Sequence, residues 1–398
     1  MKNLQTSIKR ELGRIKARPR YLLLMTAGIV FSYVFFMTLM GEGQPERLPI
    51  AIVDRDGSYV SRQLCHEINA TQGVEVVAVY NQHQEAREAM QRQEIYAFLE
   101  IPANTYSEIL SFKAPHLVLY SNNAYLLPGS LSYKTLSTVC KLASGAMQRE
   151  ILRKKGCSEE QIMGIIQPIE LDTHLIGNPW ASYQPYILTT ILPGIVGLMA
   201  LLLSVFVIGQ EYKDGTTRDW LLAANGDIMS AVAGKMLPYT LWFFLSGLIG
   251  NIVMFGPCHY TMEGSFLALT ITLLLFIIAL QSMAVLLAGL LPDQHISVCI
   301  AAIYGALSFS MSGFSYPVSN MPPALQAFSY LFPLRHYYLV YADVSLFGST
   351  LHQYYPHLCM LILFLLPGLI GCKLISAKAS SMRHDSGQEA AALEEQTR

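Results

Sequence analysis

Residues 21–40 carry no formal charge. A run of about 20 apolar residues is long enough to cross a hydrocarbon core of roughly 30 Å. Inside lipid every backbone N–H and C=O must find its partner within the protein, so such a run has to be a helix. Five more runs of this kind follow, at 186–208, 236–255, 266–291, 296–316 and 358–372 with flanks. Only 14% of residues are charged, against about 25% in soluble domains. The expected fold is a mainly α-helical polytopic membrane protein with six transmembrane helices. An extracytoplasmic α/β domain is inserted between helices 1 and 2. A formal net charge of −1 points to no nucleic-acid partner.

Seven positive residues (Lys2, Lys9, Arg10, Arg14, Lys16, Arg18 and Arg20) precede the first run, against the single acid Glu11. Leu4, Ile8, Leu12 and Ile15 recur at helical spacing, so residues 1–20 read as a cytoplasmic amphipathic helix lying on the membrane face. The positives place the N-terminus inside. A secretory signal is the competing reading. The run at 21–41 is too long for one, and residues 41–45 offer no small-x-small cleavage site, so it reads as a retained anchor.

Residues 42–183 form the inserted domain. Strand-like runs at 50–53, 74–79, 97–101 and 117–120 alternate with helical patterns at 59–69 and 84–93, the order of a small α/β domain. A long helix is expected over 129–155. Asp54-Arg55-Asp56-Gly57 after the first strand reads as a solvated turn. No GxSxG or HExxH element is present, and Gly234-Lys235 is followed by Met236, so no phosphate-binding loop is encoded. No catalytic or metal-ligating set emerges. Of seven cysteines none makes a CxxC pair; Cys65, Cys140 and Cys157 allow at most one bridge.

The membrane domain covers 184–376, and 377–398 is a polar cytoplasmic tail. Positive-rich segments fall on one side when the count starts from an internal N-terminus, so both termini are expected in the cytoplasm of a multi-pass protein of the bacterial inner membrane. Pro193 and Gly197 kink and thin the second span. Ser308 and Ser312 belong to a small-residue stripe in the fifth. All four are candidates for lining a pathway, with tight helix packing the simpler reading. Residues 317–348 are too apolar for a free loop and too proline-broken for a span. They read as short helices re-entering the outer face, where Arg335 and His336 are candidates for an outer gate or substrate contact. A snorkelling arginine is the alternative.

One charged stretch, residues 209–223, separates two apolar runs. Thr216 and Asp219 have capping-box spacing before Trp220, Leu221 and Leu222, so a helix is expected from Thr216 to the Asn225-Gly226 stop, with Trp220 at the membrane boundary. By spacing alone it is either a loop helix or an element that a cytoplasmic motor grips.

Four stretches together resemble the ABC-2 type transporter permeases, in the branch with a large extracytoplasmic domain between the first two spans. They are Arg18-Pro19-Arg20, then Glu211-x-x-x-Gly215-Thr216 with Leu221-Leu222, then Gly234-Lys235-Met-Leu-Pro238-Tyr239, and last Ser315-Tyr-Pro317 through Pro322-Pro323 to Phe332-Pro333-Leu334. Thr217-Arg218 departs from the apolar residue and acid that many members carry. The resemblance implies the membrane-spanning subunit of an exporter. It would pair with a second permease chain, identical or not, and with a cytoplasmic ATP-binding-cassette ATPase. The coupling helix would be 211–224, with Glu211, Lys213, Asp214, Gly215, Thr216, Arg218 and Asp219 as the coupling residues. Glu211 and Asp214 would offer carboxylates to the motor, and Lys235 would anchor the next span at the membrane face. No cofactor is expected on this chain; ATP and magnesium belong to the partner. A periplasmic adaptor and membrane lipid complete the expected partners. The alternative is an envelope scaffold or receptor anchored in the membrane without transport activity. The cargo stays open: drugs, lipids, peptides and glycans all fit.

Overall fold

The computed structural model describes residues 2–41, 43–111, 113–169, 171–179, 182–291 and 293–378. Most of the expected tail thus lies outside the described residues. The chain divides into two compact units, 42–174 on one hand and 1–41 with 175–398 on the other.

The first unit in sequence opens with α1 (Lys2–Ala17) and α2 (Arg20–Leu39). Pro19 separates them, because its ring and missing N–H cannot continue α1.

The inserted unit contains β1 (Leu48–Asp54), α3 (Tyr59–Asn69), β2 (Val74–Tyr80), α4 (His83–Gln91), β3 (Ala97–Ile101), α5 (Thr105–Leu110), β4 (Val118–Ser121), α6 (Leu126–Lys154) and α7 (Glu159–Ile166). Strand order is β2-β1-β3-β4; β1 runs parallel to β2 and β3, and β4 is antiparallel to β3. β1 is central and covered on both faces, so it reads as a nearly continuous apolar run. Ile50 and Ile52 pack with Leu64 and Ile68 of α3 and Leu136 of α6. Ala51 and Val53 face the other way, against Ala86 and Ala89 of α4.

The remaining helices are α8 (Tyr183–Lys213), α9 (Thr217–Ala223), α10 (Ile228–Phe255), α11 (Phe266–Leu290), α12 (Gln294–Met311), α13 (Pro323–Ser329), α14 (Pro333–Tyr341) and α15 (Leu351–Leu363). Helix resumes after a turn at Phe364 and runs to Lys378. Among the described residues six helices are long and apolar enough to cross a membrane. The chain is a helical polytopic membrane protein carrying an α/β domain. Residues 317–348 form a short 3-10 turn, α13, α14 and a brief π-helical stretch, broken where Pro322, Pro323 and Pro333 fall.

Helices α8 and α11 lie at the centre, with 67% and 61% of their apolar windows buried, against 6% for α2. Small residues let the backbones approach. A Cβ at Gly194 would stand 2.5 Å from the Phe309 ring, and one at Gly197 would stand 2.5 Å from Leu280.

Two helices run further than their apolar stretches. Helix α8 continues past Ile208 to Lys213, and α10 begins at Ile228. Glu211 and Lys235, expected at the edges of a polar loop, therefore sit on packed helices.

Candidate functional site: a buried charged node

Helix α1 crosses the start of α10 at Gly234, where a Cβ would lie 2.5 Å from that of Ser7. Ser7 Oγ donates to the Ala231 carbonyl at 3.1 Å. This contact brings polar residues of α1 inward. Ser7 and Glu11 are buried while Leu12 is exposed. The apolar stripe at 4, 8, 12 and 15 and the buried stripe at 7 and 11 are adjacent faces of one helix.

At the centre stands Glu211, with no solvent exposure. Its two carboxylate oxygens accept from the two terminal nitrogens of Arg10, at 2.7 and 3.0 Å. Arg14 also pairs with it, Lys235 Nζ donates to it at 2.8 Å, and the Thr216 hydroxyl donates to the same group. Lys235 Nζ donates in turn to Glu11 at 2.7 Å, and Tyr239 donates to the other Glu11 oxygen at 2.8 Å. At the rim Asp214 accepts from Arg18 at 2.9 Å and from Arg14 at 3.5 Å. Four cations thus face three carboxylates. Taking each ion out of water costs several kcal/mol, and only a network with every lone pair matched offsets it. Burial works to lower the Arg10 pKa, but the bidentate Glu211 carboxylate outweighs it and holds the guanidinium above its ordinary value.

The backbone that leaves α8 is equally specified. Gly215 N–H bonds the Tyr212 carbonyl and Thr216 N–H the Glu211 carbonyl, a helix stop whose left-handed residue is Gly215 at φ +67°. Helix α9 ends the same way, with Asn225 at φ +52° and Gly226 N–H on the Leu221 carbonyl. The expected stop at Asn225-Gly226 is present. The capping box is not: Thr216 makes no side-chain cap, because its hydroxyl is committed to Glu211.

Three expectations change here. Glu211 does not offer its carboxylate to the surface; it is consumed within the chain. Lys235 does not snorkel, being only 1% exposed and bonded to two glutamates. Trp220 is not a boundary residue but is buried, its indole donating to Ala231 O at 3.1 Å with Lys235 Nζ 5.3 Å above the ring. What α9 and the preceding turn leave outside is Lys213, Asp214, Gly215, Arg218, Asp219 and Leu222.

The other candidates lie apart from the node. His336 is fully buried; Nε2 faces the Tyr330 carbonyl at 3.1 Å and Nδ1 faces His357 Nδ1 at 3.4 Å. A carbonyl only accepts, so Nε2 carries the proton and Nδ1 is left to accept. The Arg335 guanidinium lies 5.1 Å over the Tyr330 ring. Gly197 is filled by Phe276 and Leu280. Ser308 and Ser312 spend their hydroxyls on the Gly305 and Phe309 carbonyls of their own helix, at 2.6 and 2.7 Å. In this conformation these positions are packed. Among the described residues no group of three His, Cys, Asp or Glu could hold a metal ion.

The sequence reading gives Arg10, Arg14 and Glu11 no site role, and Arg18 and Tyr239 enter it only within the family-like stretches. The one available signal was Glu11, a lone acid among seven positives on a helix.

Apolar helices of spanning length, joined near their ends by a buried charged node, define a polytopic membrane protein. The family profile described as ABC-2 family transporter protein matches residues 19–370, and the chain belongs to that family. It is 20% identical over 350 residues to YbhR of Escherichia coli K12, described as a probable multidrug ABC transporter permease, covering 87% of this chain and 91% of that protein. It is 24% identical over 182 residues to YbhS of the same organism, which carries the same description, covering 46% of this chain and 48% of that protein.

Proposed function

We propose that the chain is the membrane-spanning permease subunit of an ATP-driven exporter. A separate ATP-binding-cassette subunit hydrolyses ATP with magnesium in the cytoplasm. A second permease chain completes the pathway, and this chain sits in the bacterial inner membrane with both termini in the cytoplasm. One observation carries the reading: a short helix with an exposed face sits on a buried charged node that joins α1, α8 and α10. Motion imposed on α9 cannot be absorbed locally, because Glu211, Lys235 and Glu11 would lose partners that burial makes costly to lose. It is passed to the spans instead.

In this reading Lys213, Arg218 and Asp219 meet the motor, with Leu222 beside them. Gly215 and Thr216 set the angle of α9, and Glu211 and Asp214 hold α1 and α8 together beneath it. Coupling is thus divided between residues that touch the partner and residues that transmit. The relatives' description as multidrug permeases supports a drug-like cargo.

The test is twofold. The chain, co-expressed with a candidate ATP-binding-cassette subunit, co-purifies with it and confers substrate-stimulated ATP hydrolysis. Single cysteines at Lys213 and Arg218 react with an impermeant maleimide only after the cytoplasmic face is opened. Labelling of either from the outside contradicts the reading.

A further inference from the structure

The inserted domain holds a cavity of about 420 Å3 that coupling does not use. Its position follows from topology. The crossover from β1 to β2 carries α3 on one face of the sheet. The crossover from β2 to β3 carries α4 on the other. The chain leaving the carboxyl end of β1 enters α3 and the chain leaving β3 enters α5, and these two helices touch beyond the strand ends, where Asp54 pairs with Ile101. In open α/β sheets ligands bind in the crevice outside the carboxyl ends of the strands. The cavity lies there, reached by Ile101 at the end of β3, Ser61 and Leu64 on α3, and Thr105 on α5.

Its walls are mostly apolar, with Leu64, Ile109, Leu117, Met147 and Ile151 among them, and its volume falls in the range of about 300–1,000 Å3 that small-molecule sites occupy. The polar groups differ in what they have left to give. Ser61 donates its hydroxyl to Asp54, outside the cavity, at 2.7 Å. Thr105 donates to the Pro102 carbonyl. Lys113 also lines the cavity, and among the described residues its ammonium forms no ion pair. The neighbouring groove of about 540 Å3 shares Val60, Leu64, Ala143 and Met147 with this cavity but carries Glu67 and Glu150. One end of the combined surface therefore attracts an anion and the other repels it.

We propose that this cavity binds a single-chain amphiphile, an apolar chain with a carboxylate head, the chain against α3 and α6 and the head at Lys113. The site belongs to the inserted domain and is independent of the exporter reading.

The full-length protein in lipid nanodiscs is exposed to a diazirine-bearing dodecanoate, irradiated, and its cross-linked peptides mapped. Labelling is expected on the peptides holding residues 60–64 and 143–152. Lys113→Glu, a change at an exposed side chain, is expected to cut that labelling about three- to fivefold. Ala143→Trp, which fills the cavity, is expected to abolish it, with the thermal midpoint recorded to show that the fold is kept. Labelling confined to the membrane helices overturns the proposal, as does domain labelling unchanged by Lys113→Glu. Equal labelling by the uncharged diazirine dodecanol overturns the carboxylate assignment. No ATP-binding subunit is present in the assay, so its failure and a failure of the exporter reading are separate results.

Discussion

Arg10 and Glu211 are joined by two hydrogen bonds, at 2.7 and 3.0 Å, across 201 positions of sequence. The pair ties the N-terminal helix to the end of the central span α8, and it explains why the sixteen-residue basic helix α1 is more than a membrane-surface helix. Removing the carboxylate takes the bidentate partner from Arg10 and leaves the buried Lys235 with Glu11 alone. Glu211→Gln is expected to cost about 3–5 kcal/mol, read as a lower midpoint for heat-induced loss of the monodisperse peak in detergent. A midpoint equal to the parent's would show that the node contributes nothing.

Charge neutralisation on both sides should recover part of that loss. Lys235→Met alone leaves Glu11 and Glu211 without their shared cation, whereas Lys235→Met combined with Glu211→Gln removes one charge of each sign. The double variant is expected to be more stable than the sum of the single losses by about 0.5–3 kcal/mol, the coupling range for contacting residues. Strict additivity would mean that the two side chains do not interact.

Two glycines near the node should respond for different reasons. Gly234→Ala places a methyl 2.5 Å from Ser7 Cβ, so α1 and α10 must separate, at a cost of about 1–3 kcal/mol. Gly215→Ala meets nothing within 4 Å and pays only for its backbone at φ +67°, about 1–2 kcal/mol. Arg10 accessibility to a guanidine-specific reagent separates them: it rises in Gly234→Ala and stays at the parent level in Gly215→Ala.

The thiol of Cys65 in the inserted domain gives a pH test. Burial, aided by the Asp54 charge, pushes its pKa up to about 11. The thiolate is the reactive form, so at pH 7 only about one Cys65 in ten thousand is primed. Its alkylation rate should climb tenfold per pH unit and level off near pH 11. The linked stability has the same sign: it is whole below the ordinary thiol pKa and is lost as pH rises through the folded value. A plateau near pH 9 would contradict the burial argument.

Much of the architecture was legible because lipid and parallel sheets impose simple patterns. The uncharged run at 21–40 became α2, Arg20–Leu39, and the apolar run at 50–53 became the central strand β1. The node was harder to see. Helix ends were set where apolar runs stop, but α8 carries on to Lys213 and α10 starts at Ile228, because buried ion pairs can continue a packed helix beyond its greasy part. Glu211 therefore reads as a loop charge facing a partner, and Lys235 as an anchor at the membrane face. Ser7 and Glu11 escape a periodicity that weighs apolar residues, because the face of α1 that packs on α10 is polar. Thr216 offered a capping box, yet the carboxylate of Glu211 outcompeted a backbone amide for its hydroxyl.

The central claim is that α9 receives the motor's work on its exposed face. Arg218 and Leu222 are exposed, so Arg218→Glu with Leu222→Glu leaves the node and the spans intact. The decisive measurement is substrate-stimulated ATP hydrolysis by the reconstituted complex of the double variant with its ATP-binding subunit. The account predicts that stimulation falls to the level of the ATP-binding subunit alone while the variant keeps the parent's thermal midpoint. Full stimulation with both changes in place would contradict it.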